Sequence, residues 1–324
     1  MSDVRLGVCG LGLIGSSLVR ATGPQNAVVM DPSPSASDAM RALGATVVDS
    51  LSGFTSCDVI ALAAPTAVNS ALLAELMDVG PRVPTFDLGS VKEPILEVWR
   101  SDPSFPFVGT HPMAGSERSG AAAGDADLFR GSAWPVVVAP DTDAAALSAV
   151  VDVILSTGAR VVPVTAPAHD TAVAVVSHLS HLLAGALGAA VDGAPDRALA
   201  IRLAAGSFRD GSRVAASPPE RTAEFLASNG GRVAVAAREA AQSLLAAADA
   251  ADRSDQEALV AFLRPGHDAR VAFEDVSPDP VNDIPVADPV GVLEVLRSLT
   301  DTGSAIVGRT GDTVTVTVVQ EGSP

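Results

Sequence analysis

The sequence is poor in basic residues. Its 324 residues include 21 Lys and Arg against 38 Asp and Glu, which gives a net charge of −17 at pH 7. So acidic a chain repels nucleic acid and anionic membranes, and we expect neither as a partner. A negatively charged small molecule would have to be held by a local basic pocket.

Cysteine and long apolar runs are scarce too. Cys9 and Cys57 are the only cysteines, too few for a disulfide framework, and we therefore expect a reducing, cytoplasmic location. No run of about 18 apolar residues is free of Gly, Pro or charge, so we predict no membrane span. The first residues also lack the apolar segment of a signal peptide.

The length and the 48% of apolar residues fit two domains with sizeable cores. In residues 1–165, short β-branched runs alternate with helical patterns, which predicts an α/β domain with a doubly wound parallel sheet. The predicted strands are Val4–Cys9, Ala27–Met30, Val59–Ala63, Thr85–Asp87, Phe107–Gly109, Val136–Ala139 and Arg160–Pro163. Residues 166–270 are rich in Ala and Leu and predict an all-helical domain, with helix breaks at Gly193-Ala-Pro, Gly206–Gly211, Ser217-Pro-Pro and Asn229-Gly-Gly. Residues 271–324 predict a short α/β tail, with a helix and a hairpin, whose role is unknown.

A glycine-rich motif directly follows the first predicted strand. In Gly10-Leu11-Gly12-Leu13-Ile14-Gly15, the glycines permit a tight turn, close approach to a pyrophosphate, and close strand–helix packing. Asp31 ends the next strand, where a carboxylate can bind both ribose hydroxyls and repel a 2′-phosphate. The pattern predicts a Rossmann-type domain that binds NAD in preference to NADP. An ordinary tight turn is the alternative.

Ala64 and Pro65 follow the strand Val59–Ala63 and are further cofactor contact candidates, because ligands of open α/β sheets bind at the carboxyl ends of strands. A proline just past a strand can equally serve only to end it, and both interpretations stay open.

Two polar loops follow the next strands. The first is Asp87-Leu88-Gly89-Ser90-Val91-Lys92, and the second runs from His111 to Glu117. Histidine is suited to accept a proton from a hydroxyl near neutral pH, and the proline after His111 restricts its backbone. Lys92 is the only lysine, against twenty arginines. Its retention points to a compact ammonium near the cofactor or substrate, although chance retention is also possible.

These motifs resemble the prephenate dehydrogenase family, which includes arogenate dehydrogenases. The resemblance rests on His111-Pro-Met-Ala-Gly-Ser-Glu117 and on the loop from Asp87 to Lys92, joined by Ser177-His178-Leu-Ser-His181 and by the segment from Ala205 to Arg213. It implies NAD-dependent oxidation of prephenate, or of arogenate, with loss of the ring carboxylate as carbon dioxide, in tyrosine biosynthesis.

The resemblance also implies roles for single residues. His111 takes the proton of the substrate hydroxyl, Ser90 hydrogen-bonds that hydroxyl beside the nicotinamide, and Arg213 binds the ring carboxylate. Further expected substrate contacts are His178, His181, Glu117, Asp210, Gly206 and Lys92. Glu117 could orient a pocket group or meet the amine of arogenate, and Asp210 could position Arg213, although either acid could be plain surface.

Several other interpretations fit parts of the sequence. His178 and His181 lie three residues apart on one helix face and could bind a metal or form a polar seam, but no third ligand cluster joins them, so we predict no metal. β-Hydroxyacid dehydrogenases are excluded because they need a lysine in the second domain, which has none. Ketol-acid reductoisomerases are excluded because they need a cluster of acidic residues there, which the sequence does not show. A modified-prephenate dehydrogenase and a non-catalytic NAD sensor remain as alternatives. Long Ala/Leu faces at 172–190 and 233–251 predict a homodimer through the helical domain, as the resemblance also implies.

Overall fold

A computed structural model describes residues 4–116, 118–274 and 280–319. The chain divides into two compact units. The first combines the chain up to Asp170 with the segment Val281–Val318, and the second begins at Thr171 and runs to Pro280.

The first unit opens with six parallel strands connected by helices. The strands are β1 (Leu6–Cys9), β2 (Ala27–Met30), β3 (Thr46–Val47), β4 (Val59–Leu62), β5 (Thr85–Asp87) and β6 (Phe107–Val108). The helices are α1 (Leu13–Thr22), α2 (Pro34–Ala42), α3 (Thr66–Val79) and α4 (Glu93–Trp99). The strand order β3-β2-β1-β4-β5-β6 is that of a doubly wound dinucleotide-binding sheet. The predicted Rossmann-type fold is confirmed.

The central strands are covered on both faces. Every residue of β1 and β4 is buried, which suits their continuous apolar sequences. The Ser33 side chain accepts from the Ala36 amide and so caps the start of α2, with Pro34 at the first helical position. The strand β3, with two residues, is too short to show a periodic pattern and was not predicted.

The chain then adds β7 (Ala133–Val137), α5 (Ala144–Ser156) and β8 (Arg160–Val164). The sequence placed these two strands in the doubly wound sheet, but they pair in parallel in a second sheet. The carboxylate of Asp143 caps α5 by accepting from the Ala146 amide. The apolar residues of α5 join a core that also contains Phe86 of the first sheet and Ile306 of the second.

The second unit is helical, as predicted. Its helices are α6 (Ala166–Val173), α7 (Ser180–Asp192), α8 (Arg197–Leu203), α9 (Gly206–Ser212), α10 (Pro219–Ser228), α11 (Gly230–Asp252) and α12 (Gln256–Glu274), with α6 starting in the first unit. A π-helical turn at Ala174–Leu179 joins α6 to α7. The predicted break at Gly206–Gly211 is wrong, because this segment forms α9. Helix α12 likewise continues through Pro265.

The continuous helix from Ala166 to Asp192 has an 18-residue window of mean hydropathy 1.6, of which 22% is buried within the chain. It is long and apolar enough to cross a membrane by length and composition alone, which is weak evidence for a span. The sequence criterion had excluded it because it contains Pro167, Asp170 and two glycines.

The tail forms β9 (Val281–Pro285), α13 (Pro289–Leu299), β10 (Ala305–Thr310) and β11 (Thr313–Thr317). The predicted hairpin is present as the antiparallel pair β10–β11. These strands complete the second sheet in the order β7-β8-β10-β11-β9, with Ile306 opposite Val161. The tail is therefore not the separate segment that the sequence predicted. It belongs to the first unit, because β10 pairs with the free edge of β8. Asp301 strengthens this junction by accepting from the amide and hydroxyl of Thr165.

Candidate functional site

The glycine-rich turn has the geometry that its sequence predicted. Gly10 has a φ of +100°, and a Cβ there would lie 2.7 Å from the backbone of Ala63. A Cβ on Gly15 would lie 2.0 Å from the Gly10 carbonyl oxygen, whereas one on Gly12 would meet nothing within 4 Å. Gly12 is the N-cap of α1 and offers no side-chain cap, so the first-turn amides, beginning at Leu13 and Ile14, are left for a ligand. The turn fits a pyrophosphate.

Asp31 lies at the carboxyl end of β2, next to this turn. Its Oδ2 accepts from the Leu11 amide at 2.6 Å, and its Oδ1 accepts from the Ser33 amide at 2.8 Å. A cavity of about 500 Å³ opens beside it. Arg41, Val48 and Asp49 also line this cavity and were not identified from the sequence. The cavity and carboxylate fit the ribose end of a dinucleotide.

Ala64 is held at the carboxyl end of β4 by a buried asparagine. Asn69 Oδ1 accepts from the Ala64 amide at 2.9 Å, and Asn69 Nδ2 donates to the Leu62 carbonyl at 3.1 Å. The neighbouring Pro65 is exposed and is the N-cap of α3. Sequence reasoning missed Asn69, which sits inside an ordinary helical pattern and becomes informative only once its partners are known.

A buried ion pair lies under the two polar loops. The Lys92 ammonium pairs with Asp87 Oδ2 and donates to the Thr110 carbonyl at 2.5 Å. Asp87 Oδ1 accepts from the Thr110 amide at 3.1 Å, and Trp134 Nε1 donates to the Thr110 hydroxyl at 3.0 Å. Lys92 is fully buried, and its ammonium contacts these protein groups. It supports the backbone immediately before His111.

Burial and pairing act in opposite directions on this pair. Burial raises the pKa of Asp87 above its usual value, and attraction to Lys92 opposes the rise. Burial also lowers the pKa of Lys92, against the attraction of Asp87. Each charge therefore depends on its partner, and the pair behaves as one unit.

His111 follows β6 and is half-buried. Its amide donates to the Pro135 carbonyl at 3.0 Å, which aligns the loop along β7. Its Nδ1 lies 3.0 Å from Nε2 of His169, and Nδ1 of His169 lies 2.7 Å from Oδ1 of Asp170. The sequence did not single out His169 and Asp170. The signal was weak: a His-Asp dipeptide near the start of a helix, 58 residues after His111.

Ser90 is half-buried in a loop that is fixed at both ends. The Gly89 amide donates to Asp87 Oδ2 at 2.9 Å. The Lys92 amide donates to Asp170 Oδ1 at 2.8 Å. The loops that carry Ser90 and His111 are thus both held by the buried carboxylate of Asp87. Glu117, the remaining candidate in the first unit, lies outside the described residues.

In the second unit, His178 and His181 both contact the ring of Phe225, with centroids 5.0 Å away in each case, so they share a face as their spacing predicted. His178 is buried in the π-helical turn, and its Nδ1 lies 3.4 Å from Asn229 Nδ2. His181 Nδ1 donates to the Ser177 carbonyl at 2.9 Å. π-Turns inside α-helices are frequent at functional sites. Among the described residues, no group of three or more His, Cys, Asp or Glu could hold a metal ion.

The remaining candidates lie at the surface of the second unit. Gly206 begins α9, and Arg213 follows its last residue. Gly206, Asp210 and Arg213 are all exposed. In the part of the chain that the structure describes, no ion pair joins Asp210 to Arg213.

Comparison with known proteins places these features in a family. Residues 15–163 match the prephenate dehydrogenase nucleotide-binding domain, and residues 165–265 match the prephenate dehydrogenase dimerization domain. A cyclohexadienyl dehydrogenase of Zymomonas mobilis is 35% identical over 237 residues, which cover 69% of this chain and 80% of that protein. A prephenate dehydrogenase of Bacillus subtilis is 31% identical over 71% of this chain and 65% of that protein.

The fold agrees with solved structures. A crystal structure of a candidate prephenate dehydrogenase from Corynebacterium glutamicum has a TM-score of 0.78 and 28% identity, and covers 91% of this chain and 97% of that one. Both halves of the chain match in order, and the first carries the turn, carboxylate and cavity that fit a nicotinamide dinucleotide. This chain is an oxidoreductase that belongs to the prephenate dehydrogenase family.

Proposed function

We propose that this protein oxidises prephenate with NAD and releases the ring carboxylate as carbon dioxide, giving 4-hydroxyphenylpyruvate for tyrosine biosynthesis. The observation that carries the proposal is the position of His111. It lies beyond the carboxyl end of β6, in the half of the sheet that comes after the topological switch point between β1 and β4. A base there can reach a substrate bound beside a nicotinamide.

Each candidate residue has a distinct role in the proposed reaction. When bound, the dinucleotide supplies the hydride acceptor. His111 accepts the proton of the substrate hydroxyl, and Ser90 hydrogen-bonds the same oxygen. Arg213 binds the ring carboxylate through its planar pair of donors. His178, His181, Glu117, Asp210 and Gly206 would contribute to substrate binding, while Lys92 supports the site from below.

The test is absorbance at 340 nm with the purified protein, NAD or NADP, and prephenate or arogenate in all four combinations. Reduction of NAD with prephenate supports the proposal. Intact NAD binding by calorimetry with no reduction in any combination would contradict it and favour the sensor or modified-substrate alternative.

Arogenate is the second candidate substrate. The relative from Zymomonas mobilis is named for cyclohexadienyl compounds, and both prephenate and arogenate carry that ring. A higher kcat/KM with arogenate in the same assay would make arogenate the substrate and leave the assigned roles of His111 and Ser90 unchanged.

Replacing Asp31 by serine is expected to weaken NAD binding by about 10- to 100-fold, the equivalent of losing hydrogen bonds to a charged group. NADP should gain relative to NAD, because the repelling carboxylate is gone and Arg41 remains in the cavity. Binding of each dinucleotide is measured by calorimetry. The matched control is Asp49→Ser, which removes an equal charge from the same cavity. An unchanged NAD/NADP ratio in Asp31→Ser would remove Asp31 from the ribose site.

We also propose a cytoplasmic homodimer formed through the second unit. Its helices expose large apolar side chains that a single copy leaves uncovered, among them Val176 at 65%, Leu203 at 72% and Leu245 at 67%. Patches of this kind mark interfaces. Light scattering at micromolar concentration should give twice the 32.6 kDa of one chain, and a monomer would contradict the proposal.

A further inference from the structure

Three side chains of the first unit form a line that ends at the proposed base. His111 Nδ1 lies 3.0 Å from His169 Nε2, and His169 Nδ1 lies 2.7 Å from Asp170 Oδ1. The two imidazole rings meet nearly edge to face, at 78°. His169 is 3% exposed and Asp170 is fully buried, so solvent does not compete for these contacts.

The carboxylate end of the line is ionised. Burial by itself raises the pKa of Asp170, but the hydrogen bonds from His169 and from the amides of Glu93 and Lys92 outweigh it and hold the pKa below its usual value. These amides donate to Oδ2 at 2.9 Å and to Oδ1 at 2.8 Å. An ionised carboxylate only accepts hydrogen bonds, so Nδ1 of His169 must carry a proton and donate it.

The proton on Nδ1 of His169 determines which ring nitrogens donate and which accept in the remaining hydrogen bond to His111. A neutral imidazole with its proton on Nδ1 has a lone pair on Nε2, so His169 Nε2 accepts from His111 Nδ1. His111 then has its own lone pair on Nε2. We infer that His169, backed by Asp170, is a positioning residue that holds His111 as the Nδ1-protonated tautomer and so leaves Nε2 as the base. The inference rests on the proposed function, which makes His111 a proton acceptor.

The same line stabilises the charged product of that step. When Nε2 of His111 takes the hydroxyl proton, the imidazolium keeps its Nδ1 hydrogen bond to His169, and the carboxylate of Asp170 lies behind it. Among the described residues, the ion pair of Lys92 and Asp87 joins this line. Lys92 donates through its amide to Asp170 and through its ammonium to the Thr110 carbonyl, which ties the line to the backbone before His111.

Two variants separate positioning from packing. His169→Phe keeps a ring but removes the acceptor, and kcat should fall by about 10- to 100-fold, less than the loss of the base itself, with KM for prephenate unchanged. His169→Gln offers an amide oxygen as acceptor and should recover most of the lost kcat. In the pH profile of kcat, the acid limb should shift to lower pH in His169→Phe, because the imidazolium of His111 has lost its hydrogen-bond acceptor. The limb should return to the wild-type position in His169→Gln. A purely structural role would lower thermal stability without this pattern.

A second measurement needs no turnover. The chain has five histidines, so ¹⁵N-histidine NMR of the free protein resolves few signals, and the His111→Asn variant assigns that of His111. We expect protonated Nδ1 and unprotonated Nε2 at His111 near neutral pH, and a mixture of tautomers in His169→Phe. A proton on Nε2 of His111 in the wild-type protein overturns the inference, and so does a wild-type kcat in His169→Phe.

The two proposals fail separately. Without dinucleotide reduction by the wild-type protein the proposed function fails, while the NMR spectrum still decides the tautomer. With normal turnover and the opposite tautomer, the positioning role of His169 fails alone. If His169→Phe does not fold, the wild-type spectrum decides by itself.

Discussion

Replacing His111 by asparagine is expected to lower kcat by about 10²- to 10⁴-fold, the usual contribution of a general base. Asparagine cannot accept the hydroxyl proton, although it can still form hydrogen bonds. The affinity for NAD should stay the same, because the glycine-rich turn and Asp31 lie at other strand ends. Steady-state kinetics at saturating prephenate, with calorimetry of NAD binding, measure both quantities.

The matched control is His267→Asn, the same substitution at an exposed histidine on α12. It should keep the wild-type kcat. If His111→Asn retained more than about a tenth of wild-type kcat, the loss would be smaller than general bases contribute, and His111 would not be the proton acceptor.

Replacing Lys92 by methionine should lower the free energy of unfolding by about 3–5 kcal/mol, the cost of leaving one partner of a buried ion pair alone. Methionine has nearly the same side-chain volume as lysine. The lost free energy therefore comes from the unpaired carboxylate of Asp87 and from the missing donor to the Thr110 carbonyl. Urea unfolding measures the difference. The control is Arg100→Met in the exposed pair with Glu97, which should cost less than about 1 kcal/mol. A Lys92→Met variant as stable as this control would contradict the assigned support role.

The deficit of Lys92→Met should also depend on pH. Without the ammonium, only the hydrogen bonds from the Thr110 and Gly89 amides oppose burial at Asp87, so its folded pKa rises further above its unfolded value of about 3.9. A group with a raised folded pKa loses stabilising free energy as the pH rises from the unfolded value through the folded one. The variant should therefore be closer to wild type at pH 5 than at pH 8, and a deficit that shrinks with rising pH would contradict this account.

The predicted positions that agree with the structure rest on local patterns. Gly10, Gly12 and Gly15 lie within one strand–turn–helix unit, where each glycine has its own steric reason. Asp31 and His111 were identified because the carboxyl ends of parallel strands share one edge of the sheet, so predicting a strand also places the residues just beyond its end. The structure puts each beyond the strand that the sequence indicated, β2 for Asp31 and β6 for His111.

The features that the sequence missed depend on contacts between distant segments. The tail strand β10 pairs with β8 across more than a hundred residues, and no local pattern shows which edge is free. His169 and Asp170 are an unremarkable dipeptide until the fold brings them to His111. Lys92 was singled out for its rarity, but its burial, which makes it a support for the loop, has no signature in the sequence.

The most direct test of the oxidative decarboxylation uses prephenate labelled with ¹³C in the ring carboxylate. The protein is incubated with this substrate and NAD, and the NADH formed and the labelled carbon dioxide released are measured together. The account predicts equal amounts of the two at every time point, each corrected for a parallel reaction without protein. NADH without labelled carbon dioxide, or no NADH while NAD still binds, would contradict it.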